Sequence, residues 1–331
     1  MAGDARIRVL AHVLTRNDED VILPCLESLL AQDHHPLSIL VSDNGSRDGT
    51  VAAIRARFPG IEVIENMENL GYAAGHNRAV ARGAFDWFLA LNADVVLAPD
   101  FLARALERAG IDPGCGMLTG KLLRPGNPGD GGPVLDSAGL VVDRYRRNTE
   151  RGSGEWDHGQ YDRPDEVFGA FGAAALYSRQ LVDDLAPDGK LFEEDFFAFR
   201  EEVDLAWRAR ARGWTCLYAP NASATHEHRY RPETRSRRPI EERRLQRRNR
   251  YLLLVRNESF VGLARDLGPI VAYELAALSS AMLREPGILP AYGDALRLLP
   301  RALVSRRKIR QSRTIPDAEI NQWFRRGTRE F

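Results

Sequence analysis

Four apolar runs of strand length, at residues 7–14, 37–41, 61–64 and 85–91, fall in the first third of the chain, with helix-patterned stretches between them. After the first run Ile22, Leu26, Leu29 and Leu30 keep helical spacing, and residues 51–58 and 72–82 follow the second and third. Strand and helix in regular alternation argue for an α/β fold, a mostly parallel sheet flanked by helices.

Where these strands stop, polarity changes abruptly. The first breaks at Thr15-Arg16-Asn17-Asp18 and the second at Ser42-Asp43-Asn44-Gly45-Ser46-Arg47-Asp48-Gly49-Thr50. The fourth, Phe88-Leu89-Ala90-Leu91, ends on Asn92-Ala93-Asp94. Open α/β sheets hold ligands just beyond the carboxyl ends of their strands. The same residues also suit Asx turns and helix caps, so strand ends alone leave both readings open.

The middle of the chain is less regular. Residues 123–133 read as a Pro- and Gly-rich surface loop, and residues 144–165 as a polar, mobile stretch. Gly169 and Gly172 interrupt an apolar run and allow a backbone or ligand to come close. Residues 201–212 read as a helix, with Glu201 and Glu202 at its start, Arg208, Arg210 and Arg212 at its end, and Gly213 beyond. A short strand then leads to Thr225-His226-Glu227-His228.

Composition narrows the class. The 331 residues are 44% hydrophobic and 28% charged, as in an ordinary soluble globular protein. Cys25, Cys115 and Cys216 are far apart, which fits a reducing compartment, and the first six residues lack the apolar core of a signal peptide. A cytoplasmic location is expected. The net charge of zero hides a basic segment: Arg229, Arg231, Arg235, Arg237, Arg238, Arg243, Arg244, Arg247, Arg248, Arg250 and Arg256 stand against Glu233, Glu241 and Glu242. No recognition fold accompanies it, so nucleic acid is not the expected partner. Val271, Leu275, Leu278 and Met282 form one apolar helical stripe and Leu296, Leu299 and Leu303 another, near Arg306-Arg307-Lys308. The first run is too short to span a bilayer and contains Glu274. Such faces suit helices lying on the cytoplasmic face of an anionic membrane, or packing on the main domain.

Five motifs occur in order: Thr15-Arg16-Asn17, the loop 43–50, Asn69-Leu70-Gly71-Tyr72-Ala73-Ala74-Gly75-His76-Asn77, Leu91-Asn92-Ala93-Asp94, and the stretch 196–205. Together they resemble the family 2 glycosyltransferases, and among them the rhamnosyltransferase-like branch. The resemblance covers about residues 6–258 and implies a GT-A fold, a nucleotide-sugar donor, Mg²⁺ or Mn²⁺, and transfer with inversion. It puts Thr15, Asn17, Asp43, Asn44, Asn69, Gly71, Gly75, Asn77 and Asn92 at the donor, Asp94 and His226 at the metal, and Glu202 at the catalytic base. Arg248 is a further candidate for donor phosphate. Two departures stand out: Arg16 replaces a base-stacking aromatic, and Glu202 replaces the common Asp, which leaves Glu201 in contention.

The chemistry explains these residue types. A sugar diphosphate carries two negative charges beside the bond that breaks, and a divalent cation on oxygen ligands would neutralise the leaving group. An acceptor hydroxyl becomes nucleophilic when a carboxylate within hydrogen-bond reach takes its proton. Burial would raise the pKa of Glu202 and the helix N-terminus would lower it, so the net direction is open. The expectation is a glycosyltransferase domain at 1–258, with donor and acceptor halves meeting near residue 110, and a helical extension at 259–331. Its donor would be dTDP-rhamnose and its acceptor a lipid-linked or cell-surface glycan. The alternatives are an inactive nucleotide-sugar-binding subunit and a sugar nucleotidyltransferase. An NAD-dependent dehydrogenase is disfavoured because no GxGxxG follows the first strand.

Overall fold

The computed structural model describes residues 7–125, 132–227 and 238–329, the last four by backbone alone. Arg229, Arg231, Arg235, Arg237 and His228 therefore lie outside the described residues, as do positions 126–131 of the Pro- and Gly-rich loop. The first third is β1 (Val9–Thr15), α1 (Ile22–Leu30), β2 (Leu37–Asp43), α2 (Thr50–Arg57), β3 (Glu62–Glu65), α3 (Gly71–Arg82) and β4 (Trp87–Asn92). After β5 (Val95–Leu97) and α4 (Phe101–Ala109) come β6 (Cys115–Arg124), β7 (Val134–Ser137), β8 (Leu140–Val142), β9 (Asn148–Glu150), β10 (Asp165–Glu166) and β11 (Ala174–Ser178). Then follow α5 (Arg179–Leu185), α6 (Glu201–Ala211), β12 (Thr215–His226), α7 (Ile240–Asn257), α8 (Phe260–Arg265), α9 (Leu267–Leu283), α10 (Pro290–Ser312) and α11 (Asp317–Arg329).

The main sheet runs in the order β10-β12-β6-β11-β4-β1-β2-β3, so β1 and β4 lie near its centre. β3, β2, β1 and β4 pair in parallel, as the strand-helix alternation requires. β11 runs antiparallel between β4 and β6, and β12 returns parallel to β6. β1 and β4 are buried along nearly their whole length, which is why they read as continuous apolar runs.

Within the stretch 144–165, one arginine is tied into the core. Arg146 is fully buried, pairs with Glu258 at 2.5 Å and Asp266 at 3.0 Å, and lies 3.9 Å over the Phe324 ring. One guanidinium thus joins the β8–β9 hairpin to the start of α8, the start of α9 and α11. Phe324 in turn packs 4.9 Å from Trp207, and Arg210 stacks 4.1 Å over Trp323. The α9 stripe faces away from this core: Val271, Leu275, Leu278 and Met282 are all exposed, and only Ile270 and Ala281 of α9 are buried. Among the described residues no helix is long and apolar enough to cross a membrane. The three cysteines are free and buried.

Candidate active site

Asp94 sits in the tight turn between β4 and β5. β5 then pairs antiparallel with the end of β12, Val95 opposite His226, and the Glu227 amide donates to the Asp94 carbonyl at 2.9 Å. This register brings His226 Nε2 to 3.2 Å from Asp94 Oδ1. The other ring nitrogen, Nδ1, lies 2.7 Å from Asp136 Oδ2, and the second oxygen of Asp136 accepts from Arg124 Nε at 3.1 Å. Burial lowers the His226 pKa, but hydrogen bonds to Asp136 and Asp94, with their charges, push it up to about 9.

No group of three or more His, Cys, Asp or Glu side chains converges as a metal cage among the described residues. One carboxylate beside one imidazole, oriented by a buried second carboxylate, fits a divalent cation that displaces the imidazole proton and takes its remaining ligands from donor phosphates and water.

Facing this pair is the head of α6. Glu201, Glu202, Asn92, Asp94, His226 and Tyr72 all line one cleft of about 280 Å³, with the 171–173 backbone as part of its wall. A Cβ at Gly172 would stand 3.3 Å from the Tyr72 hydroxyl, so the glycine leaves room for that ring against the wall. Tyr72 Oη donates to the Gly172 carbonyl at 2.7 Å and fixes that wall to α3. Loss of water contact pushes the Glu202 carboxyl up to about 7, with the helix backbone and Arg200 pulling only partly against it. Glu201 is 4% exposed, and burial, then the charge of Glu202, holds its pKa well above the usual carboxylate range. Desolvation therefore wins over the helix N-terminus.

The donor candidates form a hydrogen-bonded rim at the ends of β1 and β2. Thr15 Oγ1 donates to Asp18 at 2.9 Å, and Asn17, at φ +55°, accepts the Arg47 amide at 2.8 Å. Asp43 accepts the amides of Gly45 and Ser46 at 3.1 and 3.0 Å and the Ser46 hydroxyl. Asn44 donates to the Gly71 carbonyl at 3.2 Å and accepts from Asn66 at 3.0 Å, joining this rim to α3. Asn69 accepts the Gly71 amide at 3.0 Å. Gly71 has φ +78°, and a Cβ there would stand 2.3 Å from the Phe197 carbonyl oxygen. Gly75 lets α3 settle on Leu14 of β1, where a Cβ would meet the side chain at 2.5 Å.

Two donor candidates are engaged elsewhere. Asn77 is buried and closes on the Phe192 backbone, donating at 2.8 Å and accepting at 2.9 Å. Arg248 donates to the carbonyls of Asp195 and Phe196 at 2.8 and 2.9 Å. Of the donor candidates only Asn92 lines the cleft; Thr15, Asn17, Asp43, Asn44, Asn69, Gly71 and Gly75 stand beside it at the rim. Arg250 is likewise turned inward, onto Glu274 at 2.6 Å and the Tyr145 carbonyl at 2.7 Å.

Sequence reasoning missed three participants. Asp136 and Glu150 come from β7 and β9, short strands with no motif around them, yet Asp136 meets His226 and Glu150 lines the cleft. Asp204, four residues before Arg208, is fully buried; it accepts from Arg208 at 2.8 Å and also from Arg256 at 2.8 Å and Asn257 at 2.7 Å. Its spacing to Arg208 was visible, the α7 partners were not.

Residues 6–250 match the protein family described as Glycosyltransferase like family 2. The chain is 29% identical over 223 residues to an N-acetylglucosaminyl-diphospho-decaprenol L-rhamnosyltransferase of Mycobacterium tuberculosis, covering 61% of this chain and 70% of that protein. It is 23% identical over 210 residues to a poly-beta-1,6-N-acetyl-D-glucosamine synthase of Staphylococcus aureus, covering 62% and 46% of the two chains. Among solved structures, S. aureus TarS 1–349 in complex with UDP superposes with a TM-score of 0.53 and 16% identity, covering 98% of this chain and 90% of that one. GalNAc-T7 with UDP, GalNAc and Mn²⁺ gives 0.57 and 12%, covering 76% of this chain and 48% of that one. These neighbours share the GT-A fold.

Proposed function

Since this chain belongs to glycosyltransferase-like family 2, we propose that it is a metal-dependent, inverting enzyme that moves a sugar from a nucleotide-sugar to a hydroxyl of a lipid-linked or cell-surface glycan, with dTDP-rhamnose as donor. The observation that carries this is the shared cleft, with a carboxyl of raised pKa at one side and the Asp94–His226 pair at the other. The M. tuberculosis relative, named for a rhamnosyl transfer to a diphospho-decaprenol glycolipid, supports the donor and acceptor class.

Asp94 and His226 would hold the cation, Mg²⁺ or Mn²⁺, which when bound neutralises charge on the leaving nucleotide. His226 favours Mn²⁺. Glu202 takes the acceptor hydroxyl proton. Its pKa near 7 suits a base working at neutral pH, being ionised enough to act and basic enough to accept. Glu201, deeper and held protonated, keeps the neighbouring charge from competing. Thr15, Asn17, Asp43 and Asn44, at the carboxyl ends of β1 and β2, would meet the nucleoside, and Asn69 and Gly71 shape the turn beside them.

The acceptor's lipid end accounts for the C-terminal helices. Phe260, Leu267, Val271, Leu275, Met282 and Leu283 are exposed along α8 and α9. The acids of this region point elsewhere: Asp266 onto Arg146, Glu274 onto Arg250, Glu285 onto Arg243. Exposed Arg310 lies 5.1 Å over Phe260, and Arg306, half-buried on the Val255 carbonyl, lies 5.4 Å over it. An apolar face edged by cations fits an anionic bilayer surface.

Two experiments test the reading. A panel of dTDP-, UDP- and GDP-sugars is incubated with the protein and Mn²⁺, and release of nucleoside diphosphate is followed. Release from dTDP-rhamnose, lost in Asp94→Ala, is expected; no release and no thermal stabilisation by any donor would overturn it. Vesicles of phosphatidylglycerol should sediment the protein, vesicles of phosphatidylcholine much less, and Leu275→Glu/Met282→Glu should abolish the effect. A dimer in solution that hides α9 would instead assign the face to a second copy.

A further inference from the structure

The backbone leading into Glu201 and Glu202 is unusual. Phe197 has φ +65° and ψ −64°, and the Ala198 amide donates to the Phe196 carbonyl at 2.8 Å. That is a γ-turn of the rare positive-φ kind. Phe199 and Arg200 follow at φ +71° and +73°. A residue other than glycine held in this region is strained and persists only where its surroundings over-determine it.

The surroundings here can be named. Every carbonyl from Asp195 to Phe199 is taken by a donor outside the five residues. Arg248 Nη2 reaches Asp195 and Phe196. The Ala73 amide reaches Phe197 at 3.2 Å. The Asn249 amide nitrogen, fully buried, reaches Phe196, Ala198 and Phe199 at 2.9, 2.7 and 2.8 Å. An amide is the only uncharged side-chain group that offers two donors from one nitrogen to converging carbonyls.

We propose that Asn249 is a positioning residue: it clamps the left-handed turn at 197–200 and thereby sets where the carboxyls of Glu201 and Glu202 meet the cleft. Because the Phe197 carbonyl also receives the α3 amide, and Gly71 leaves room for it, the clamp keys the base to the donor-side helix. This rests on Glu202 being the base, and the test separates the two ideas.

Asn249→Ala and, as a milder variant, Arg248→Ala are compared with the intact chain and with Glu202→Gln. Hydrogen exchange in peptides covering 71–77 and 195–204 reads the clamp without any substrate. Exchange at least tenfold faster in Asn249→Ala, with the β1–β4 peptides unchanged, is expected; unchanged exchange overturns the proposal. Should Asn249→Ala fail to fold, Arg248→Ala must show the same local change in smaller degree, and its absence overturns the proposal equally. With the active donor from the panel, Asn249→Ala should lower kcat about a hundredfold, leave the donor KM within threefold, and displace the rising limb of the pH profile. A merely structural residue would leave that limb in place, and a limb and kcat matching the intact chain reject the positioning role. Full activity in Glu202→Gln would instead remove the base assignment while the exchange result stands.

Discussion

Asp136 and His226 form a buried pair, Oδ2 to Nδ1 at 2.7 Å, on the side of the imidazole turned away from Asp94. A carboxylate behind a ligating histidine fixes its tautomer and ring orientation, and its loss typically weakens metal binding by about 10–100-fold. Asp136→Asn should therefore weaken Mn²⁺ binding by about that factor, with Asp94→Ala weakening it further. Titration followed by the Mn²⁺ paramagnetic resonance signal checks this, and equal affinity in Asp136→Asn would exclude the orienting role.

The two acids at the head of α6 make opposite demands on activity and stability. A base must be ionised, so kcat should rise with pH, bend near 7, and drop about tenfold per unit below. Glu202→Gln should remove that limb and lower kcat by about 10²-fold or more. For stability, a carboxyl whose pKa is raised on folding holds its proton longer in the native state. Its ionisation destabilises the fold as pH rises from the ordinary carboxylate range through about 7. Glu201→Gln and Glu202→Gln should thus melt higher than the intact chain at pH 8 and alike at pH 4.5. Melting curves at the two pH values decide it.

A second pH effect lies beneath the donor rim. His12 Nδ1 and His76 Nδ1 are 2.8 Å apart, His12 Nε2 is 2.8 Å from Ser42 Oγ, and both rings are wholly buried. Burial holds His12 down to about 3, and burial plus the His12 neighbour holds His76 well below its ordinary value. Both stay neutral in the fold while the unfolded chain takes up protons near 6.5. Stability is full above that pH and falls as pH drops below it, by up to about 1.4 kcal/mol per unit for each ring. In the Glu201→Gln/Glu202→Gln background, which removes the opposing carboxyl effect, urea midpoints at pH 8, 6.5 and 5 should show the loss beginning well above the carboxylate range; a flat line from 8 to 5 would count against neutral rings.

Asp204 pairs with Arg208 on its own helix and anchors α6 to α7 through Arg256 and Asn257. Removing one partner of a buried ion pair leaves an uncompensated charge and costs about 3–5 kcal/mol. Asp204→Ala should lose about that much in chemical denaturation, whereas Asp195→Ala, whose partner Arg301 is largely exposed, should lose under about 1 kcal/mol.

The periodicities and strand ends of the first third were enough to give the α/β class, the parallel half of the sheet and the place of Asp94, because burial on both faces and helix spacing are local properties. Asp43, Asn44, Asn69 and Gly71 stand in turns after strands, as short polar residues and glycines suggest, while their role at the donor came from the motif resemblance. Which side chains share a cleft is not local. Asp94 meets His226 because β5 and β12 pair in one register, and one step of slip would turn His226 to the other face. Asp136 lies on β7, an edge strand with no motif of its own. Asn249 sits inside a run of arginines that reads as a solvated basic face, yet Arg248 and Arg250 beside it point inward onto carbonyls and Glu274. The sign of the Glu202 shift needed the burial that only packing supplies. Sequence by itself determined the elements and the chemistry placed at their ends; tertiary structure decided the partners, because hydrogen bonds and desolvation depend on distance in space rather than on separation along the chain.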